Sequence, residues 1–166
     1  SMIDNLLLSD RLSMPYSTLD LHKIQISDII DKIMNLFPSM KEKINIHNSI
    51  PSEEIIVDET KFIIALRNLL DNAIKYSENK IVELSIEKNN NVKFHVKDSG
   101  IGISEKNIKN ITKPFFQADK SISTKGFGLG LTICKKIIES HKGRLSIQSE
   151  LGKGSVFTLY LPPIKG

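Results

Sequence analysis

One cysteine, three arginines and no apolar run of membrane-spanning length are the first scarcities of this 166-residue chain. Cys134 stands alone, so no internal disulfide is available, and the usage fits a reducing compartment. The arginines are Arg11, Arg67 and Arg144, so the formal charge of +4 rests on scattered lysines. No basic run interleaved with aromatics occurs. That pattern argues against a nucleic-acid surface but allows a small anionic ligand. No hydrophobic stretch reaches the length of a spanning helix and no signal peptide is visible, so no membrane contact is expected of this piece. Internal repeats and low-complexity tracts are also missing. What remains, 40% hydrophobic and 25% charged residues, is the composition of one soluble globular domain with a real core. The leading Ser1-Met2 reads as a cloning remnant, so the chain is expected to be part of something longer.

Several nucleotide signatures are absent as well. No GxxxxGK[ST] segment occurs, which excludes a P-loop. No GxGxxG follows a strand, and no HRD segment accompanies Asp98-Ser99-Gly100. Any nucleotide site must therefore be built another way.

The stretch from Asp58 to Ser77 reads as one helix. Asp58 is placed to cap it, and Phe62, Leu66, Leu69 and Ala73 recur at helical spacing as the face to be buried. Asn68, Asn72, Lys75 and Tyr76 sit at i, i+4, i+7 and i+8 and share another face. Two carboxamides, an ammonium and an aromatic ring offer oxygen for a cation, charge for phosphate and a flat surface for a base. A solvated helix face is the plainer reading of the same four residues.

Before that helix, residues 2–13 carry an apolar stripe (Ile3, Leu6, Leu7, Leu8) too rich for an isolated tail, which predicts a short amphipathic helix packed on a partner or on a second copy of itself. Pro15 and Ser17 break it. Leu19, Leu21 and Ile24 predict a short strand. Ser27 or Asp28 caps a helix with Ile29, Ile30, Ile33, Met34 and Phe37 inward, interrupted around Pro38. Ile44, Ile46 and Ile50 predict a strand, as do Ile55 to Val57. After Ser77 the period changes to two: Ile81 to Glu87 and Val92 to Val96 form a hairpin turning at Asn89-Asn90-Asn91. Ser104 starts a short helix to about Asn110. Residues 118–125 are polar with little to bury and are expected to be mobile. Gly126-Phe127-Gly128-Leu129-Gly130-Leu131 opens a helix carrying Cys134, Ile137 and Ile138, with Gly143 as its C-cap. Leu145 to Gln148 and Ser155 to Leu161 close the chain as a hairpin around Gly152-Lys153-Gly154. Helices on one side of a mixed, mainly antiparallel sheet predict an α+β two-layer sandwich.

Two further segments carry chemistry. Asp98 ends a strand ahead of Gly100 and Gly102, where a carboxylate can accept from an exocyclic amine and glycine permits close backbone approach. An ordinary hairpin exit has the same composition. Gly126, Gly128 and Gly130 alternate before a helix, whose freed N–H groups favour an anion. Lys125 and Lys120 add positive charge nearby.

The five segments Asn68 to Ser77, Asp98 to Ile103, Pro114 to Gln117, Gly126 to Leu131 and Gly152 to Phe157, in that order, resemble the N, G1, F and G2 boxes and closing hairpin of the catalytic ATP-binding domain of bacterial two-component sensor histidine kinases. The resemblance covers about residues 17–162 and implies the Bergerat-type sandwich shared with gyrase, Hsp90 and MutL. Residues 1–16 then correspond to the end of the second helix of the dimerisation and phosphotransfer domain, and 17–166 to the catalytic domain with its ATP lid at about 118–125. By motif position, Asn72 would ligate Mg²⁺, Asn68 would lie close to metal and phosphates, and Lys75 would contact phosphate. Tyr76 would pack near adenine, whose amino group Asp98 would bind. Gly100 and Gly102 would let the chain pass the base, with Ile103 lining the pocket. Phe115 and Phe116 would anchor the lid, and Lys125 would add charge over the phosphates. Gly126, Gly128, Gly130 and Leu131 would hold them at the helix start.

The implied activity is transfer of the ATP γ-phosphoryl group to a histidine on the phosphotransfer helix of a homodimeric parent, with a response regulator downstream and the parent anchored in the inner membrane around a cytoplasmic catalytic domain. Where gyrase-like ATPases carry a glutamate, this chain has Asn68, a poor general base. A hydrolase of the same fold, and a nucleotide-binding regulatory or dimerisation module without transfer, are the alternatives. None of His22, His47, His95 or His141 has the H-[ED]-x-x-x-P setting of an acceptor, and all four read as structural; His141 is expected near a helix C-terminus, where positive charge is favoured. Gln117 stands where relatives often have Arg, which puts a phosphate contact there in doubt. Cys134 reads as core.

Overall fold

A computed structural model describes residues 18–113 and 130–163. The expectations for residues 2–16, for the segment 118–125, and for Phe115, Phe116, Gln117, Lys125, Gly126 and Gly128 lie outside the described residues.

The chain runs β1 (Leu21–Gln25), α1 (Ile26–Leu36), a 3-10 turn (Pro38–Lys43), β2 (Ile44–Asn48), β3 (Glu54–Asp58), α2 (Glu59–Tyr76), β4 (Val82–Asn89), β5 (Asn91–Asp98), α3 (Glu105–Ile108), α4 (Gly130–Ser140), β6 (Arg144–Glu150) and β7 (Gly154–Leu161). Five strands form one sheet in the order β2-β4-β5-β7-β6. Only the β2–β4 pair in it is parallel. Period-two alternation decides its two faces. Val82, Leu84 and Ile86 of β4, Val92, Phe94 and Val96 of β5, and Phe157, Leu159 and Leu161 of β7 are all buried, whereas Glu83, Glu87 and Lys97 are exposed. On the open face Arg144 and Lys93 flank the Tyr160 ring at 3.7 and 5.7 Å from its centroid. The two-layer sandwich is as expected.

Helix α2 covers the middle of the buried face. Phe62, Leu66, Leu69 and Ala73 are each fully buried, and Phe62 meets Phe94 of β5 edge to face with ring centroids 5.1 Å apart. Such a pair adds about 0.5–1.5 kcal/mol beyond the area it buries. Asp58 is the N-cap, its Oδ1 accepting from the Lys61 backbone N–H at 3.2 Å, a contact of the kind worth about 1 kcal/mol. Helix α4 packs beside α2 with Ile133, Cys134, Ile137 and Ile138 fully buried. Burial pushes the Cys134 thiol pKa up, so it is core, as read from sequence.

Several local expectations are corrected. β1 and β3 form a separate two-stranded antiparallel sheet, a division the residue pattern did not reveal. Helix α1 is capped by neither Ser27 nor Asp28. It starts at Ile26 behind Gln25, without a side-chain cap, because carbonyls from the β2–β3 connection take the free donors: Ile26 N–H bonds Glu53 O at 3.0 Å and Ser27 N–H bonds Pro51 O at 3.3 Å. Ile50 lies beyond the end of β2, and Ile81, half-exposed, precedes β4.

The end of α4 differs by one residue. Lys142, not Gly143, takes the left-handed conformation (φ 62°). Lys142 N–H bonds Glu139 O and Gly143 N–H bonds Ile138 O, both at 2.9 Å, which makes a Schellman end with lysine in the place usually held by glycine. Glycine is needed at 143 for another reason: any Cβ there would overlap the Tyr160 carbonyl oxygen of β7.

Candidate functional site

The polar face of α2 is held at two points two turns apart. At the first, the Asn68 side chain donates from Nδ2 to the carbonyl oxygen of Gly130, the first residue of α4, at 3.3 Å. At the second, Gly100 packs against the carbonyl oxygen of Tyr76, so closely that any Cβ on Gly100 would overlap it. Asn72 lies between, one turn from each, and Lys75 and Tyr76 complete the row. All four side chains are half-buried. The helical spacing alone placed these residues on one face. The structure adds that the start of α4 and the loop after β5 both close upon it.

Asp98, the last residue of β5, is 3% exposed. Its Oδ1 accepts the Gly100 N–H at 3.0 Å, and the Ser155 N–H also supports the carboxylate. Burial raises its pKa, and these two backbone donors oppose the rise. A carboxylate offers about four acceptor positions, so two donors leave capacity for a ligand amine. Gly102 adopts φ +74°, and a Cβ there would overlap the Glu150 carbonyl oxygen. Ile103 packs partly buried against the core, its N–H donating to Ser149 Oγ at 2.7 Å.

Lys75 is the cation of the row. Burial lowers its pKa, its Nζ lies 5.2 Å from the centre of the Tyr76 ring, and no carboxylate among the described residues pairs with it. An ammonium not neutralised by those residues suits phosphate. The Asn72 carboxamide likewise has no hydrogen-bond partner among the described residues, and its oxygen is the hard donor that Mg²⁺ prefers. No group of three or more His, Cys, Asp or Glu gathers among the described residues as a metal cage. The donor set therefore fits a cation carried in largely on ligand oxygens, with Asn72 as its protein contact. Leu131 is buried through its side chain, so only its backbone N–H, in the first turn of α4, is suited to a phosphate.

Supporting residues went unmarked in the sequence. Ser149 Oγ lies 2.7 Å from Ser155 Oγ and 3.0 Å from Gly154 O, so β6 and β7 brace the loop that follows Asp98. Thr132 Oγ1 donates to Thr112 O at 2.6 Å, tying α4 to the chain on the far side of segment 114–129. The presence of Ser155 in the closing hairpin was the one available signal. Thr132 had none, being a hydroxyl inside an apolar helix pattern.

The four histidines lie apart from this site. His95 bridges Thr158 Oγ1 (2.8 Å) and Glu87 Oε1 (3.1 Å) on the open sheet face, His22 contacts Asp20, and His47 is exposed on β2. His141 is buried. Its Nδ1 donates to Ile137 O at 2.8 Å and its Nε2 accepts the Asp58 N–H at 3.0 Å. Both bonds together require the neutral ring, and burial lowers its pKa. The expected positive charge at the helix end is therefore corrected to a neutral acceptor. A wide hollow of about 620 Å³ between β1, α1 and β3, lined in part by Asp28, Asp31, Lys32 and Glu59, has neither glycines nor α2's polar face.

Comparison with known proteins agrees with this geometry. The model of the family described as "Histidine kinase-, DNA gyrase B-, and HSP90-like ATPase" matches residues 57–165. The autoinducer 2 sensor kinase/phosphatase LuxQ of Vibrio vulnificus is 37% identical over 154 residues, covering 84% of this chain and 18% of LuxQ. The sensor protein kinase WalK of Staphylococcus haemolyticus is 36% identical over 141 residues, covering 80% of this chain and 23% of WalK. The chain thus spans only a small part of these relatives' length. Among solved structures, full-length ShkA in complex with AMPPNP superposes with TM-score 0.81 and 26% identity over 99% of this chain and 36% of its own. The catalytic domain of histidine kinase ThkA superposes with TM-score 0.73 and 27% identity over 87% of this chain and 96% of its own. The chain belongs to the histidine kinase-, DNA gyrase B- and HSP90-like ATPase family, and within it is the ATP-binding catalytic domain of a sensor histidine kinase.

Proposed function

We propose that this domain binds Mg·ATP across the polar face of α2 and delivers the γ-phosphoryl group to a histidine on a phosphotransfer helix elsewhere in a longer, homodimeric protein. The observation that carries the reading is the Asn68–Gly130 contact, which brings the glycine-led start of α4 onto the helix face that bears Asn72 and Lys75. In this reading Asp98 accepts from the adenine amino group and Tyr76 and Ile103 flank the base. Lys75 meets phosphate, joined by the backbone at Gly126, Gly128, Gly130 and Leu131 and by Lys125, with Phe115 at the start of the lid. Asn72 holds Mg²⁺, which supplies charge neutralisation on the phosphates when bound. The protein's own contribution is positioning and the exclusion of water.

Asn68 separates transfer from hydrolysis. Its amide nitrogen is committed to Gly130, and a carboxamide is a poor base for activating water. ATP would be kept intact until the histidine arrives. Residues 1–16 would be the end of the preceding phosphotransfer-domain helix, and a response regulator would receive the phosphoryl group. The domain would work in the cytoplasm beneath a membrane-bound sensor.

Calorimetry with Mg·ATP tests the site. Asn72→Ala and Asp98→Ala should each abolish measurable binding while circular dichroism stays unchanged. Unchanged affinity in both would reject it. Adding the upstream phosphotransfer helix should then give ATP-dependent phosphohistidine, whereas steady release of phosphate by the isolated chain would favour a hydrolase.

A further inference from the structure

The head of α2 is joined to the incoming chain by a contact that capping does not need. Asp58 is 7% exposed, and its two carboxylate oxygens have different tasks. Oδ1 caps α2 through the Lys61 N–H. Oδ2 accepts the backbone N–H of Asp20 at 3.1 Å, thirty-eight residues earlier in the chain. Asp20 immediately precedes β1, whose first residue, Leu21, pairs in register with Asp58 itself. On the other side, the Asp58 N–H donates to His141 Nε2 at the end of α4. One residue thus joins the chain entering from residue 18, the start of the nucleotide-binding helix, and the end of the helix that Gly130 begins.

We infer that the Asp20–Asp58 contact is a latch that fixes the direction in which the polypeptide before residue 18 leaves the catalytic domain, making Asp58 a positioning residue for the encounter between bound ATP and the histidine acceptor. The inference rests on the proposed transfer function for its kinetic part only. A capping aspartate needs one oxygen, and the second, besides facing Lys61 Nζ at 3.8 Å, is hydrogen-bonded here to a segment outside the helix. Asn72 lies 14 residues, nearly four turns, from Asp58 along the same rigid helix, so a change of direction at its head is a change of reach for the site. Tilting the exit relative to α2 leaves the nucleotide contacts intact but moves them relative to anything attached before residue 18.

Three substitutions separate the latch from the cap. Asp58→Asn keeps Oδ1 for the Lys61 N–H but presents an amide hydrogen towards the Asp20 N–H and also gives up the charge facing Lys61 Nζ, a loss that Asp20→Pro does not share. Asp20→Pro removes that N–H and leaves α2 untouched. Asp20→Ala keeps the N–H and loses only the contact with His22. Amide exchange on the 166-residue chain should show the Asp20 N–H at least tenfold slower than in an unstructured peptide, and at least tenfold faster again in Asp58→Asn. An unprotected Asp20 amide in the unmodified chain, or protection indifferent to Asp58→Asn, overturns the latch. In a longer protein carrying the phosphotransfer helix, Asp58→Asn and Asp20→Pro should lower kcat for histidine phosphorylation at least fivefold with KM for ATP within twofold, and Asp20→Ala should match the unmodified protein. An unchanged kcat in both variants, or a change confined to KM, overturns the positioning role. If the unmodified longer protein forms no phosphohistidine, the transfer reading fails instead, and amide exchange alone decides the latch.

Discussion

The Thr132 hydroxyl of α4 donates to the Thr112 carbonyl oxygen at 2.6 Å, bridging the chain on the two sides of segment 114–129. Thr132 is 5% exposed and Thr112 is partly buried, so the bond lies at the edge of the core. Replacing Thr132 by Val keeps shape and removes the donor. The expected cost is about 0.5–1.5 kcal/mol, that of one lost hydrogen bond at a partly buried acceptor, seen as a lower midpoint in urea. Because the bridge also sets the start of α4, ATP affinity should fall as well, by about tenfold in calorimetry. An unchanged affinity would mean that α4 is positioned by Asn68 and the core alone.

Gly100 makes the sharper test of how the loop after β5 meets α2. Any side chain at 100 collides with the Tyr76 carbonyl oxygen, which belongs to backbone and cannot swing aside. Gly100→Ala should therefore displace Asp98 from the polar face of α2 and cost about 1–3 kcal/mol as strain. ATP binding should be lost beyond detection. Heteronuclear NMR should place the largest shift changes at Tyr76, Ser77 and Asp98. Changes limited to residues 99–101 would show that the loop absorbs the methyl group by itself.

Much of this was legible because it is local. The cap at Asp58, the burial of Phe62, Leu66, Leu69 and Ala73, the shared face of Asn68, Asn72, Lys75 and Tyr76, and the β4–β5 hairpin all follow from spacing within one element. What escaped reading is non-local. Helix α1 begins at Ile26 without a side-chain cap because Pro51 and Glu53, twenty-odd residues away, supply the carbonyls. β1 and β3 leave the main sheet, which no alternation pattern encodes. His141 was placed correctly near a helix end, but its partner is the Asp58 N–H, 83 residues distant, and that bond demands the opposite charge state from the one the helix end favours. The site divides the same way: motif spacing pointed to Asn68 and Gly130, while their contact with one another is a product of packing.

Asn68→Asp tests the same contact through charge. The substitution changes almost no volume, yet it places a carboxylate against the Gly130 carbonyl oxygen in place of a donor. It also adds negative charge beside the proposed phosphate site. ATP affinity should drop at least tenfold, about 1.4 kcal/mol or more, with part of the loss recovered at high salt for the nucleotide but not for the fold. Equal affinity in the Asn68→Asp variant and the unmodified chain would remove this end of α2 from the site.

His141 predicts a pH dependence of stability with a definite sign. Its folded pKa lies below the ordinary value because the ring is buried and must stay neutral to accept from Asp58 N–H. Protonation favours the unfolded chain, so its contribution is complete above the unfolded value of about 6.5 and is lost as pH falls through the lower folded value. One proton gives a slope no steeper than about 1.4 kcal/mol per pH unit. His141→Gln keeps an acceptor for Asp58 and a donor for Ile137 without a titrating group. Denaturant midpoints from pH 8 to 5 should therefore fall less for the variant than for the unmodified chain. Parallel curves would refute the assignment.

Asp98 has the opposite sign, and here binding and stability part company. Burial raises its folded pKa above the unfolded value, so its protonated form favours the fold. The stabilisation is present at low pH and is lost as pH rises through the folded value; at neutral pH the ionised carboxylate is a cost held in check by the Gly100 and Ser155 N–H groups. Nucleotide needs that ionised form as an acceptor. Asp98→Asn removes the charge and keeps one oxygen for Gly100. The ligand-free variant should then be at least as resistant to urea at pH 7 as the unmodified chain, while its ATP affinity falls about 10–100-fold, the worth of one charge-assisted hydrogen bond. The same logic makes ATP affinity of the unmodified chain fall on acidification at a pH above the ordinary aspartate range near 3.9. A variant that loses stability and affinity together would show Asp98 to be a structural acceptor first.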